Sequence, residues 1–436
     1  MEKKTTMVLA VVVVLVVAAV GGYFLLAGDD DGYRSANMDC RLQILGNADE
    51  DDYLDSRDVS KIKEMIENNK YSLMADADNN GKVDQADVNK VQSIIDAREN
   101  NKGKAFVDKT KVTVNYISVD KDVLSATYPV GNIIIANSQR ALELAIALGV
   151  DDRVKAMTLS DLKSYWDNKE YAGCETIPDV GLRKEPNLEE IAKIDADTIY
   201  TGQKSKCVIN VDGNKAGNKQ ILRLATWENG GLENGALMLG FFMEAEKEAE
   251  EYVKWMDDIN KEIQDKLSKV ADKDKIKFLV HSSPTALAVQ QDGVSTALDK
   301  VGATNIGNQI ITDPSKSYGK TSDYKEAILE KQPEYIFFAF YIMTQMTDDD
   351  IQAKYDAKAD SWNELVGMTN AYKNDKIVMI DYGNPFCLIT LVGAHVLFED
   401  TFSKEYVLDK VQEYTDRFTN APDGFKVEYS HCVAYP

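Results

Sequence analysis

The sequence predicts an α/β protein with two lobes, each built on a parallel sheet, joined by a long helix. Three observations support this prediction. Runs of β-branched residues alternate with amphipathic helices from about residue 105 onward, a pattern that is typical of parallel sheets. A charged segment over 236–271 contains no proline and separates two such alternating halves. Before residue 105 the pattern changes to acidic loops and short helices, which predicts a separate small α-helical module.

The changes in composition along the chain predict six successive segments. These are a transmembrane anchor or signal over 1–28, a linker over 29–38, a small module over 39–104, an N-terminal lobe over 105–235, a connecting helix over 236–271 and a C-terminal lobe over 272–436.

The N-terminus carries a segment that is long enough to cross a bilayer. Lys3 and Lys4 precede an uncharged apolar run from Met7 to about Ala27, and three aspartates follow it closely. About 20 apolar residues span the hydrocarbon core, and the preceding lysines place the N-terminus inside the cell. A cleaved signal peptide has a shorter apolar core and is the alternative. We therefore predict an uncleaved anchor in the cell membrane, with the remaining domains on the extracellular side.

Two acidic loops after the anchor have the ligand spacing of a calcium loop. The second loop begins at Asp76 and has oxygen side chains at positions 1, 3, 5, 9 and 12, with glycine at position 6. A calcium ion needs such hard oxygen ligands, and the glycine allows a sharp turn. The first loop repeats the spacing from Asn47, with Asp52 in place of the glycine. The predicted ligands of two calcium ions, with Tyr53 and Lys82 acting through their carbonyl groups, are Asn47, Asp49, Asp51, Tyr53, Asp55, Asp58, Asp76, Asp78, Asn80, Lys82, Asp84 and Asp87.

Each loop leads into a short amphipathic helix, with Val59, Ile62 and Ile66 on the apolar face of the first. Two loop–helix units of this kind, each ending its loop in aspartate, resemble the type I dockerin module over residues 39–104. The resemblance implies calcium-dependent binding to a cohesin domain on another protein. Two alternatives remain at this point, namely a structural calcium spacer and an acidic surface that matches the pattern by chance.

The composition argues against several classes of function. A formal net charge of −22 at pH 7 disfavours nucleic acid or an anionic membrane surface as a partner. The five cysteines show no CxxC spacing and the three histidines lie far apart, so a zinc or redox centre is not expected. The chain has no P-loop, no GxGxxG after a strand and no Ser-His-Asp order. These observations predict a binding protein rather than an enzyme.

Three segments of the large domain resemble the class III substrate-binding proteins of ABC importers, which deliver iron–siderophore complexes, haem or cobalamin. They are residues 137–154, residues 177–191 with the sequence IPDVGLRKEPNLEEI, and residues 320–336 in the second half. The resemblance covers about residues 111–431. It implies two lobes around a ligand cleft, and an ABC permease and ATPase as partners.

The resemblance also implies two docking residues. In that family one glutamate on each lobe contacts arginines of the membrane permease, and the matching positions here are Glu189 and Glu326. Exposed carboxylates at two ends of a rigid molecule favour fast and oriented association more than high affinity. The alternative is that both are helix-start acids that the helix dipole stabilises.

The ligand of a two-lobed receptor is expected in loops at the carboxyl ends of its strands. Arg183 lies in a segment that resembles the arginine-bearing segment of hydroxamate-siderophore binders, and a guanidinium suits the oxygens of a ferric complex. Aromatic side chains in such loops stack on bulky ligands. The predicted ligand-binding residues are Arg183, Tyr128, Tyr165, Trp166, Trp227, Tyr341, Tyr382 and Phe386.

The ligand favoured by these residues is a ferric complex of the siderophore type. Cobalamin or haem in the same cleft is an alternative, although no haem motif surrounds the candidate iron ligands Tyr165 and His281. A further alternative is a surface-organising protein that acts through its dockerin-like module and has a degenerate binding domain.

Overall fold

The structure is a computed structural model. The residues that it describes are 35, 40–159, 177–207, 215–226, 231–283, 285–340, 347–359, 366–421 and 423–434. The predicted membrane anchor over 7–27 lies outside these ranges. Within them, no helix combines the length and apolar character needed to cross a membrane.

Helices α1 (Ser56–Glu67) and α2 (Gln85–Asn101) follow the two acidic loops. Each begins after an aspartate N-cap, Asp55 or Asp84, whose side chain accepts hydrogen bonds from backbone N–H groups of the first turn. The aspartate three residues later accepts the N–H of the cap residue in return. This reciprocal capping satisfies donors that a helix start otherwise leaves unpaired. The two loop–helix units are therefore repeats of one motif, as the spacing predicts.

The small module packs directly against the first lobe. After α2 the chain forms an antiparallel hairpin of β1 (Val112–Ile117) and β2 (Val123–Tyr128). Ile44 of the module forms a β-bridge with Tyr116 of β1, and Leu45 N–H donates to the neighbouring backbone. Buried side chains of the module and of the lobe belong to one continuous hydrophobic core. The segment predicted as a separate module thus shares its core with the lobe that follows.

The N-terminal lobe contains a four-stranded parallel sheet in the order β4-β3-β5-β6. Its strands are β3 (Ile133–Ala136), β4 (Val154–Met157), β5 (Thr198–Thr201) and β6 (Gln220–Arg223). Helix α3 (Gln139–Ala147) follows β3 and helix α4 (Leu188–Lys193) precedes β5. β3 and β5 are buried throughout, which explains their unbroken apolar or β-branched sequences.

The single connecting helix predicted over 236–271 is instead two helices, α5 (Gly231–Met243) and α6 (Glu246–Leu267). Glu244 lies between them with φ of 57°, a left-handed conformation that a continuous right-handed helix does not contain. The two helices pack closely at Gly240, where a Cβ atom would lie only 2.6 Å from a side-chain atom of α6. α5 is buried on almost every side, so α6 alone has the exposed charged face expected of a connecting strut.

The C-terminal lobe contains a seven-stranded mixed sheet in the order β10-β8-β7-β11-β12-β13, with β9 beside β7. Its strands are β7 (Lys277–Ser283), β8 (Ala286–Ala288), β9 (Thr304–Asn305), β10 (Tyr318–Lys320), β11 (Tyr335–Phe340), β12 (Ile377–Asp381) and β13 (Val433–Ala434). Strands β9, β7, β11 and β12 pair in parallel with one another. Strands β8, β10 and β13 form the antiparallel pairs of the sheet. The parallel sheet predicted from sequence is therefore the centre of a mixed sheet, whose short edge strands give no periodic signal.

Seven helices among the described residues accompany this sheet. They are α7 (Gly293–Asp299), α8 (Ile306–Ile310), α9 (Lys325–Lys331), α10 (Asp348–Ala359), α11 (Asn370–Lys373), α12 (Phe386–Leu397) and α13 (Lys404–Phe418). α12 is buried along its whole length and packs against α7 and α6. This contact joins the C-terminal lobe to α6, the second of the two connecting helices.

A buried carboxyl group in α5 predicts a pH-dependent stability. Glu233 is 4% exposed, and one of its carboxylate oxygens has no hydrogen-bond partner. Burial raises the pKa of Glu233 above the ordinary 4.5, while the nearby charge of Lys300 opposes this effect and that of Asp257 adds to it. The folded state therefore keeps a proton that the unfolded chain releases. Stability is lost as the pH rises above about 4.5 towards the raised pKa.

We expect Glu233→Gln to lack this part of the pH dependence because the amide does not titrate. Calorimetry between about pH 4 and pH 8 would compare its melting temperature with that of the wild type. The wild type should lose stability relative to the variant as the pH rises. Glu248→Gln, an exposed position on α6, is the matched control and should track the wild type. A constant difference between wild type and Glu233→Gln at every pH would contradict the prediction.

Candidate functional site

A buried arginine joins the two lobes at the carboxyl ends of their sheets. Arg140 lies in the first turn of α3, just after β3, and is 1% exposed. Its guanidinium donates to the carbonyl oxygens of Tyr382, of Gly383 at 3.2 Å and of Asn384 at 3.0 Å, all of which follow β12. The loops after β3 and β12 therefore face each other. In α/β proteins this edge of the sheet is where ligands bind.

Two of the predicted ligand-binding aromatics contact this arginine. The guanidinium carbon of Arg140 lies 5.1 Å from the ring centroid of Tyr382 and 5.3 Å from that of Phe386. These distances fall within the range of cation–π interactions. Phe386 is only 6% exposed, so little of its surface is open to a ligand in this structure. The two rings therefore contribute to the contact between the lobes, and their predicted stacking on a ligand stays a prediction.

Small polar side chains form the floor of the cleft on the N-terminal lobe. Asn137 and Ser138 follow β3, Thr158 follows β4, and Thr226 lies shortly after β6. Asn137 Oδ1 accepts a hydrogen bond from Ser138 N at 2.7 Å and lies 3.5 Å from Thr226 Oγ1 and 3.7 Å from Cys207 Sγ. All five side chains are buried. Sequence analysis missed this cluster because single Asn, Ser and Thr residues carry no spacing signal.

His281 lies on the facing lobe, near the carboxyl end of β7. It is 1% exposed, stacks on Phe338 with 4.8 Å between ring centroids, and places Nδ1 3.2 Å from the carbonyl oxygen of Ser283. A carbonyl only accepts, so Nδ1 carries the proton and Nε2 is the basic nitrogen. Burial lowers the pKa of His281 to about 4. The imidazole is therefore neutral at physiological pH and suited to donating a lone pair.

Arg183 lies in a loop that extends beyond the carboxyl end of β4. Asp179 pairs in parallel with Met157, the last residue of β4, and Gly181 pairs with Pro186. The intervening turn therefore projects from the same edge of the sheet as Asn137. This placement agrees with the predicted ligand-binding role of Arg183, which stays a prediction.

Tyr128 does not line the cleft, which corrects one of the sequence predictions. It ends β2 and precedes β3, so it lies at the amino end of the parallel strands, opposite the cleft. The residue is fully buried, and its ring packs 4.8 Å from that of Phe241 in α5. Four other predicted ligand-binding residues fall outside the described ranges. They are Tyr165, Trp166, Trp227 and Tyr341.

Glu189 and Glu326 occupy equivalent places on the two lobes. Glu189 lies in the first turn of α4, which leads into β5, and Glu326 lies in the first turn of α9, which leads into β11. Both side chains are exposed. One exposed carboxylate thus lies on each lobe at the start of a corresponding helix, and the docking role of the pair stays a prediction.

The second acidic loop brings three carboxylates together. Oxygen atoms of Asp76, Asp78 and Asp87 lie within 4.8 Å of one another. Asp76 accepts from the N–H groups of Asn80 at 2.9 Å and Gly81 at 2.8 Å, which holds the loop around this point. Gly81 has φ of +85°, the conformation for which a glycine is required. Burial and the neighbouring carboxylates raise the pKa of Asp87, as expected where negative charges converge.

The first acidic loop is arranged differently. Arg57 Nη2 lies 2.8 Å from a carboxylate oxygen of Asp51 and 2.8 Å from one of Asp55, so a guanidinium neutralises two of the predicted calcium ligands. Asn47 is fully buried, and its Oδ1 has no hydrogen-bond partner. Among the described residues, only the second loop has three carboxylate oxygens that converge. The two predicted calcium sites therefore differ in geometry.

Two α/β lobes that face each other across a buried arginine and a polar floor define a two-lobed solute-binding protein. The family described as periplasmic binding protein matches residues 134–382. The chain belongs to this family, whose members bind solutes and do not catalyse reactions. The match begins inside β3, so residues 40–133 lie outside it.

Solved structures of the same fold share little sequence with the chain. The TroA-like periplasmic binding protein FepB from Veillonella parvula has a TM-score of 0.54 and 15% identity, covering 72% of this chain and 97% of that one. MolA from Haemophilus influenzae, bound to molybdate, has a TM-score of 0.55 and 16% identity, covering 71% and 99%. CeuE from Helicobacter pylori in a nickel–histidine complex has a TM-score of 0.51 and 17% identity, covering 73% and 100%. No curated protein matches the sequence.

Proposed function

We propose that the protein is the membrane-tethered, extracellular substrate-binding component of an ABC importer, and that it carries a metal complex of the ferric siderophore type. The observation that carries this proposal is the Arg140 contact, which sets the carboxyl ends of two α/β sheets against each other. Membership of the periplasmic binding protein family supports an ABC permease and ATPase as partners. The apolar segment over 7–27 supports the tether.

The choice of a metal complex is supported by the placement of donor groups at the cleft. Arg183 projects beyond β4, and the neutral imidazole of His281 lies at the end of β7. Related folds are known with different solutes, including molybdate for MolA and nickel for CeuE. Cobalamin or haem in the same cleft is the second candidate, because buried aromatic residues such as Phe338 lie beside His281.

Titration of the full-length chain in detergent or nanodiscs with a ligand panel would test the proposal. The panel contains ferric hydroxamates, ferric catecholates, haem and cobalamin, and binding is followed by tryptophan fluorescence and calorimetry. The whole chain is required because the module and the lobe share one core. Saturable binding of a ferric complex at micromolar concentration or below is expected. Binding of cobalamin or haem alone would replace the ferric assignment, and no binding at all would contradict it.

We expect charge reversal at both docking positions, Glu189→Lys with Glu326→Lys, to abolish uptake in cells while leaving ligand affinity unchanged. Both side chains are exposed, so reversing their charge leaves the buried side chains of the polar floor unchanged. Uptake assays and calorimetry on the same variants check the two halves of this prediction. Glu190→Lys with Glu330→Lys places the same charges on the same helices and serves as the control. Unchanged uptake by the Glu189 and Glu326 variant would contradict the docking role.

We also propose that the second acidic loop binds calcium and thereby stabilises the N-terminal lobe. The converging oxygens of Asp76, Asp78 and Asp87 support this proposal, together with a glycine turn at Gly81. The side chain of Asn80, the carbonyl of Lys82 and the side chain of Asp84 lie at the remaining ligand positions of the loop. The first loop supplies a second site only if calcium displaces Arg57 from Asp51 and Asp55. A cohesin-bearing protein as partner of this module finds no support in the comparisons.

Calcium at about a hundredfold excess over its Kd should stabilise the protein by about 2–3 kcal/mol, because the ion binds the folded state selectively. Thermal unfolding in calcium and in a chelator measures this increment. Asp78→Asn should reduce it strongly, whereas Asp96→Asn, an exposed position on α2, should leave it intact. Calcium-binding stoichiometry separates one site from two. Equal melting temperatures with calcium and with chelator would contradict the proposal.

A further inference from the structure

We propose that the N-terminal lobe holds a subsite for an anionic, oxygen-bearing group of the ligand, formed by Asn137, Ser138 and the N-terminus of α3. The inference rests on the proposed receptor function and specifies the chemistry of the solute. The site lies at the carboxyl end of β3, which has β4 on one side and β5 on the other. It therefore occupies the middle of the cleft floor.

The first supporting observation is a buried amide donor with no acceptor. The side chain of Asn137 is completely buried. Its Oδ1 accepts from Ser138 N at 2.7 Å, which fixes the orientation of the amide. Its Nδ2 has no hydrogen-bond partner. Native proteins rarely keep a buried donor unpaired, so an acceptor that binds at this point accounts for the arrangement.

The second observation concerns the N-cap of α3. Serine at this position usually accepts a hydrogen bond from an N–H group of the first helical turn. Ser138 makes no such bond, and its Oγ is buried without a partner. The hydroxyl is therefore available to donate to a ligand beside Asn137 Nδ2. The two groups flank the start of a nine-residue helix, where the helix dipole favours negative charge.

The surrounding charges favour the same ligand chemistry. Arg140 lies in the first turn of the same helix, and Arg223 ends β6 and donates to the carbonyl of Gly202, which follows β5. Arg140 Nη1 lies 3.8 Å from a carboxylate oxygen of Glu143 in the same helix. An amide N–H, a hydroxyl and a helix N-terminus together select an acceptor oxygen that carries negative charge, and the two arginines add positive charge to the same lobe. Carboxylate arms of a metal complex and tetrahedral oxyanions share this property.

Calorimetric titration of the full-length chain with three probes tests the inference. Molybdate represents a tetrahedral oxyanion, ferric citrate represents a carboxylate-bearing complex, and an uncharged ferric trihydroxamate lacks the anionic group. We expect one of the two anionic probes to bind, and which one binds identifies the source of the oxygen group. Ser138→Ala and Asn137→Leu should each weaken that binding about 10- to 100-fold, the usual effect of losing a hydrogen bond to a charged group.

Asn137→Asp should abolish anion binding, because it replaces the donor with a like charge. Asn132→Asp, at the amino end of the same strand, is the matched control and should bind normally. Thermal unfolding shows whether each variant is folded. If the Asn137 variants do not fold, the more conservative Ser138→Ala variant provides the test. Equal binding of the uncharged complex, or unchanged anion affinity in both Ser138→Ala and Asn137→Leu, would overturn the subsite and leave the receptor function standing. Absence of binding to all three probes overturns the subsite, whereas the receptor function fails only if the ferric catecholates, haem and cobalamin of the wider panel do not bind either.

Discussion

Replacing Arg140 by leucine is expected to cost about 3–5 kcal/mol of unfolding free energy. The guanidinium is 1% exposed and donates to three carbonyl oxygens of the opposite lobe, those of Tyr382, Gly383 and Asn384. Leucine leaves these carbonyls without this donor, and each unpaired buried group costs about 1–3 kcal/mol. The stacking contacts with Tyr382 and Phe386 are lost as well. Chemical denaturation measures the total.

Arg140→Leu should also weaken the contact between the two lobes. Hydrogen exchange is expected to increase in residues 382–397, because the loop after β12 loses its anchor and α12 begins directly after it. Arg417→Leu is the matched control, since Arg417 is an exposed arginine on α13 with an ion pair to Glu413. Loss of such a pair costs below about 1 kcal/mol. A cost for Arg140→Leu no larger than that of the control would contradict the role assigned to Arg140.

The parts of the fold that sequence predicted correctly are those in which local chemistry repeats. The acidic loops were predicted to lead into helices, and α1 and α2 begin directly after Asp55 and Asp84, whose role as calcium ligands stays a prediction. One pattern therefore indicated both the loop and the start of the helix. Likewise, the buried runs at β3 and β12 were readable because a central parallel strand is apolar on both faces.

The parts that sequence did not predict depend on contacts between distant backbone groups. Arg140 reads as an ordinary helix residue, yet it binds the carbonyl of Tyr382, 242 residues further along the chain. Carbonyl acceptors have no residue signature, so nothing in the sequence marks such a pair. Tyr128 precedes a proline and reads as a loop residue, whereas the structure pairs it within a hairpin. The break at Glu244 was also missed, because glutamate is a good helix former.

Replacing Tyr116 by alanine is expected to cost about 3–5 kcal/mol and to destabilise the small module and the lobe together. The side chain is fully buried and packs edge to face on Phe242 of α5, with 5.5 Å between ring centroids. Its hydroxyl accepts from Arg223 N at 3.0 Å, and its backbone bridges to Ile44. One residue thus contacts the module, the hairpin, α5 and β6. Denaturation curves followed by circular dichroism and by hydrogen exchange measure the effect.

The way in which stability is lost decides whether the module is an integral part of the receptor. A shared core requires that residues 40–101 and the β1–β2 hairpin lose hydrogen-exchange protection together in Tyr116→Ala, within one cooperative transition. Tyr116→Phe keeps the ring and removes only the bond to Arg223 N, so it should cost about 1–3 kcal/mol. Tyr372→Ala, at a tyrosine that is 41% exposed, controls for side-chain truncation alone. If Tyr116→Ala instead shows two separate unfolding transitions, and only the transition of the lobe shifts, the module folds by itself. In that case the proposed calcium site would not stabilise the lobe, whereas a single transition would couple that site to the lobe that forms the cleft.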